Sequence, residues 1–208
     1  MRLFEVHGAG AAREVEIILQ TVDSIVPDGE GSYLAGPIST GRRFFQALAG
    51  HGAKDFAGLI AAIGEGEYLR TVRWPNVRDG EELAHRLRRA GVVYLINTGP
   101  IFIRDWRTED YMGLCFSLIE RKVRRVYFHP EWAYSCGAVE EFLFCLPRGL
   151  ALLTSEGASL TVNCARAALE AVRRELQSLG LPTESVEGQA ARLEEISGGA
   201  EISPPEPS

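Results

Sequence analysis

The stretch "YSCGAVEEF", residues 134–142, places a Ser-x-Gly turn and two adjacent carboxylates ahead of an apolar run over 142–146. Ser135 has the side chain of a helix N-cap, and Gly137 keeps the first turn open. Glu140 and Glu141 then fall in the second turn. There they either complement the helix dipole and face water, or sit beside desolvated surface. The following residues are apolar all round the helix, so at least one carboxyl is expected to be desolvated and its pKa raised. A carboxylate in that setting suits nucleophilic or acid–base chemistry. Steps of about 100° put both glutamates between apolar neighbours, so periodicity alone does not choose between them.

Two other stretches carry side chains suited to a ligand. "AGPISTGRR" combines Gly36, which lets backbone approach a ligand, with the stiff Pro37, then Ile38, Ser39 and Arg42. Free N–H groups and hydroxyls at such a helix start can face an anion. It is neither a GxGxxG dinucleotide pattern nor a P-loop. "NTGPIFIRDWRTEDYM" follows Asn97 with Phe102, Trp106 and Tyr111 among the carboxylates Asp105, Glu109 and Asp110. Aromatics beside a crevice suit a planar base, and they serve equally well to finish a core.

The elements that must hold these groups alternate. Apolar runs at 32–36, 92–97, 125–130 and 149–154 read as buried strands, each followed by Gly, Pro or Asn signals. Helical patterns lie between them: Leu83 and Leu87 in "GEELAHRLRRAG", the stripe Tyr111, Leu114, Cys115, Leu118, and the amphipathic segment 161–180 ending at Gly180 and Pro182. The alternation predicts one α/β domain over residues 1–187, doubly wound around a mostly parallel five-stranded sheet of flavodoxin or Rossmann type. Ligands of such sheets bind outside the carboxyl ends of the strands, where all three stretches fall. Residues 45–80 read as an insertion, helical near "DFAGLIAAIG", and 188–208 as a disordered acidic tail.

Composition narrows the classes. With 208 residues, 46% hydrophobic and 24% charged, the chain has room for one real core. A net charge of −6 argues against a nucleic-acid partner. The arginine clusters at 42–43, 86–89 and 121–125 read mainly as solvated faces. No segment reaches the roughly 18 apolar residues of a membrane span, and the first twenty carry no long apolar signal region. Four cysteines without CxxC spacing read as reduced thiols of a cytoplasmic protein. Neither they nor the four histidines have metal-ligand spacing, so no metal or cofactor is expected.

"YLAGPIST", "W…EDYM" and "PEWAYSCGAVEE", in that order, resemble the nucleoside 2-deoxyribosyltransferase-like superfamily, over residues 32–41 and about 91–154. In that superfamily a glutamate four residues after the glycine attacks C1′ of the sugar, and the corresponding residue is Glu141. The resemblance implies a covalent glycosyl-glutamate, resolved by water or by a second base. Transferases of free nucleosides carry Asp where this chain has Ser135; the related 5′-monophosphate N-glycosidases carry Ser, which helps bind phosphate. Their first loop, Gly-x-Ile-x-x-Gly-Arg, matches Gly36 to Arg42. A hydroxyl in place of a carboxylate and an arginine both favour a phosphorylated ligand.

The resemblance therefore implies Gly36, Pro37, Ile38, Ser39, Arg42, Asn97, Ser135 and Gly137 around a nucleotide, with Trp106, Tyr111 and Trp132 for base stacking. It also implies a homodimer, as relatives often complete the pocket with a neighbouring subunit. One departure stands out: Arg124 aligns with an Asp that usually aids the sugar or protonates the base. Asp105, Asp110 or Tyr111 would have to replace it. Three functions follow: an N-glycosidase or base transferase on nucleoside 5′-monophosphates, a non-catalytic nucleotide sensor, or a glycosidase of a larger nucleotide such as NAD.

Overall fold

Strand β1 (Gly31–Ala35) is buried along its whole length, which a strand achieves only when flanked on both edges and covered on both faces. Its neighbours are β2 (Leu95–Ile96) and β3 (Val123–Phe128), and β4 (Ala151–Thr154) pairs with the far side of β3. The order is β2-β1-β3-β4 and every pairing is parallel, so the four carboxyl ends share one edge. This is a computed structural model, and it describes residues 9–198.

Alternating side chains of β1 go to opposite faces, as the pleat requires. Tyr33 and Ala35 join the large core with α2 (Arg42–His51), α6 (Thr108–Lys122), α7 (Cys136–Cys145) and α8 (Val162–Ser178). Leu34 joins Leu95, Tyr127 and the Leu83, Ala84 and Leu87 stripe of α5 (Trp74–Arg89). The expected stripe of α6 is present, with Leu114, Cys115 and Leu118 all buried.

Four readings change. Among the described residues there are four strands, not five, because the chain leaves β4 for two helices. The strand expected at 92–97 shrinks to two residues: Tyr94 takes φ +50° and stands exposed with Val93, so the ladder starts only after it. Residues 188–198 of the expected disordered tail are helical. They belong to α9 (Glu184–Gly198), which buries Val186 and Leu193 against α7 and α8; the rest of that expected tail, 199–208, lies outside the described residues. A helix not read from sequence, α1 (Ala9–Asp23), packs Val15 and Leu19 on Leu114 and Leu118 of α6. Its signal was there, since Val15, Ile18, Leu19 and Val22 follow the i, i+3, i+4, i+7 rule. The remaining part of the signal-peptide reading, residues 1–8, lies outside the described residues. No helix among the described residues is long and apolar enough to cross a membrane.

The stretch 45–80 is mostly helical, broken at 52–55 and at Gly64. It runs from α2 through α3 (Phe56–Ile63) and α4 (Glu65–Tyr68), then a π-helical turn (Leu69–Arg73), into α5. It forms one wall of a cavity at the carboxyl ends of the strands.

Candidate active site

That cavity measures about 800 Å³, within the range of small-molecule sites. The β1–α2 loop contributes Gly36, Ile38 and Ser39, and the start of α7 contributes Ser135, Gly137 and Glu141. Trp106 and Tyr111 line it from the β2–α6 side. The loop is tight enough to demand glycine twice. A Cβ on Gly36 would stand 2.8 Å from the His129 side chain, and Gly41 combines φ +106° with a would-be Cβ 2.7 Å from Pro37.

The start of α7 is built as its residue types predict. Ser135 is the N-cap, and its Oγ accepts the Ala138 N–H at 3.3 Å. One turn later the two glutamates part. Glu140 meets Arg192 of α9 at 2.5 Å on the outer side, whereas Glu141 is only 6% exposed and lines the cavity.

Glu141 sits in a small polar cluster inside an apolar shell. Tyr33 donates its hydroxyl proton to Glu141 Oε1 at 2.6 Å, and Thr98 Oγ1 lies 3.1 Å from that tyrosine oxygen. Cys115 Sγ lies 3.7 Å from Thr98 Oγ1, and its thiol helps to favour the ionised carboxyl of Glu141. Burial pushes the Glu141 carboxyl up to about 7, against the opposing hydrogen bonds from Tyr33 and Cys115. Burial first, then the charges of its neighbours, holds the Tyr33 phenol well above its usual range, so it remains a donor. Burial likewise raises the Cys115 thiol and keeps it neutral. Tyr33, Thr98 and Cys115 were not identified from sequence, because a tyrosine within a strand and a cysteine on a helix stripe read as core.

Several expected site residues are elsewhere. Trp132 is not available to a base: it is buried, stacked on Phe142 with centroids 5.0 Å apart and edge-on to Phe128. Arg42 does not line the cavity. Its guanidinium donates to Tyr134 Oη at 2.6 Å and Glu175 Oε2 at 3.1 Å, and lies 3.8 Å from Glu131. Asp110 is buried as a helix-start residue, accepting the Arg107 N–H at 2.9 Å. Tyr111 lines the cavity, but its hydroxyl donates to the Ile103 carbonyl and accepts the Ile103 N–H, both at 2.9 Å. Pro37 and Asn97 border an adjoining space of about 30 Å³ that also reaches Glu141. Trp106 keeps a ring on the cavity while its Nε1–H donates to Glu14 of α1 at 2.7 Å.

Arg124 is exposed near the amino end of β3, the edge opposite the cavity. A carboxylate at that position would not reach Glu141, so the departure from the superfamily pattern removes nothing from this cavity. Among the described residues no three His, Cys, Asp or Glu side chains are grouped as a metal site.

A buried carboxyl with a fixed hydrogen-bond donor, facing a large apolar cavity at the strand ends, can attack a carbon centre when ionised or give up a proton when neutral. No protein-family model, no curated protein and no solved structure matches the chain.

Proposed function

We propose that this protein is an N-glycosidase, or base transferase, of nucleoside 5′-monophosphates, in which Glu141 attacks C1′ and forms a covalent glycosyl-enzyme. The observation that carries the reading is Glu141 itself, buried, held by Tyr33 and opening onto the cavity. In the proposed step the Glu141 oxygen bonds C1′ as the N-glycosidic bond breaks, and the base leaves with the bonding electron pair and takes its proton from water. Water or a second base then releases the sugar phosphate. Tyr33 keeps one carboxylate oxygen oriented, leaving the other for attack. The strand order β2-β1-β3-β4, with helices over both faces, supports a doubly wound flavodoxin-like fold for the same reading. A cytoplasmic homodimer is part of it; light scattering at micromolar concentration tests the dimer.

The test is to incubate the purified protein with a panel of ribo- and deoxyribonucleoside monophosphates and measure free base. Release from at least one is the expected result. A second reading, a nucleotide sensor without turnover, is favoured by one feature: the Tyr111 hydroxyl and the Asp110 carboxyl, both candidates to protonate the leaving base, are engaged with backbone. Ligand-induced thermal stabilisation with no base released from any member of the panel would select it.

Ser135 carries a separate prediction. Asp is also a good N-cap, so Ser135→Asp is expected to fold and keep α7. Its charge would oppose a phosphate dianion in the cavity. We expect monophosphate binding to weaken by at least about tenfold while the parent nucleoside is spared. Equal affinities before and after the substitution would remove Ser135 from the phosphate site.

A further inference from the structure

Arg73 is a buried cation in the π-helical turn before α5. It is 8% exposed and lines the same cavity as Glu141. None of the ion pairs among the described residues involves it. Its Nη2 makes one long hydrogen bond, 3.3 Å to the Ile101 carbonyl, and its buried Nε has no partner. The guanidinium lies 4.8 Å from the Phe102 centroid and 5.8 Å from that of Trp74. Aromatic faces offset part of the cost of burying a charge, but a buried cation without a counter-charge remains expensive.

The backbone around it is unusual as well. Arg73 closes the π-helical turn Leu69–Arg73, and such turns collect at functional sites. One turn back, Tyr68 donates its hydroxyl proton to the Ser39 carbonyl at 2.7 Å, and the Arg73 charge acts on that phenol. Arg73 thus shares the cavity with Ser39 of the β1–α2 loop and Ser135 at the start of α7. Arg42, the arginine that the sequence places in that loop, is held by Tyr134 and Glu175 and is not on the cavity.

We propose that Arg73 is the anion-recognising residue of this cavity and takes a phosphate monoester group of the ligand, in the role the sequence suggested for Arg42. The dianion supplies the missing counter-charge, and the planar guanidinium offers paired N–H donors to it. The anion site rests on Arg73 and the cavity; that the phosphate belongs to a nucleotide rests on the function proposed above.

Calorimetry in a Glu141→Gln background measures binding without turnover, using inorganic phosphate, nucleoside 5′-monophosphates and the parent nucleosides. Arg73→Met keeps the length and the apolar packing and removes the charge. It is expected to lose at least about tenfold in affinity for phosphate and monophosphate with the nucleoside unchanged. Arg73→Lys, which keeps the charge and covers the case in which Met misfolds, is expected to fall between the two. Unchanged phosphate binding in Arg73→Met, an equal loss for nucleoside and monophosphate, or no phosphate binding in the parent protein would each overturn the proposal. The two readings fail separately. Arg73-dependent phosphate binding without base release from any monophosphate keeps the anion site and removes the glycosidase. Base release with monophosphate preference intact in Arg73→Met does the reverse.

Discussion

Glu141→Gln is expected to give a folded protein whose base release falls by at least on the order of 10⁴-fold, the scale seen when a reacting group is removed. Gln fills the same volume and still accepts the Tyr33 hydroxyl proton through its carbonyl oxygen, so the cavity keeps its shape. What is lost is the oxygen that bonds C1′. Glu140→Gln is the control: its carboxyl pairs with Arg192 on the outer side of α7, and most of the activity should remain. A 2-fluoro sugar monophosphate should add its glycosyl mass to the wild type and not to Glu141→Gln. Retention of base release in Glu141→Gln, measured chromatographically, would refute the covalent mechanism.

The second large effect is on stability, and its sign follows from burial. The Glu141 carboxyl is raised from its ordinary 4.5 to about 7 in the folded protein, with desolvation as the largest cause. A group raised in this way contributes stability that is fully present below the unfolded value. That contribution is lost as pH rises through about 7. Between pH 5 and pH 8.5 the wild type should therefore lose about 2–3 kcal/mol that Glu141→Gln does not lose. For a chain of this size the melting temperature of Glu141→Gln relative to wild type should rise by roughly 5–10 °C over that range. Melting curves at four or five pH values check it; parallel curves would mean that Glu141 does not titrate in this window. Base release should rise over the same interval, because only the ionised carboxylate attacks carbon.

The pH dependence and the chemistry have one cause, which the sequence stated only in part. The residues of "YSCGAVEEF" specify a capped helix with carboxylates against an apolar run, and that much is local: Ser135 caps, and apolar residues follow. Which glutamate is buried is not local. It is set by α9, which supplies Arg192 to Glu140, and by α6 and β1, which bring Cys115 and Tyr33 to Glu141.

The sequence by itself determined the parallel α/β layout and the edge of the sheet where the cavity lies. Hydrophobic period and turn residues are short-range properties, and the four strand signals fall within a few residues of β1 to β4. The need for glycine at 41 is local too, set by φ +106° and the nearby Pro37, whereas the need at 36 comes from His129, distant in sequence. Tertiary structure alone decided the partners of the long, polar-tipped side chains. Arg42 and Arg73 look alike as residue types, yet one reaches Tyr134 and Glu175, far along the chain, while the other is buried on the cavity. Trp132 and Trp106 likewise divide between core and cavity. A side chain several ångströms long can meet water, a carboxylate or a ring, and which it meets depends on elements distant in sequence packing beside it.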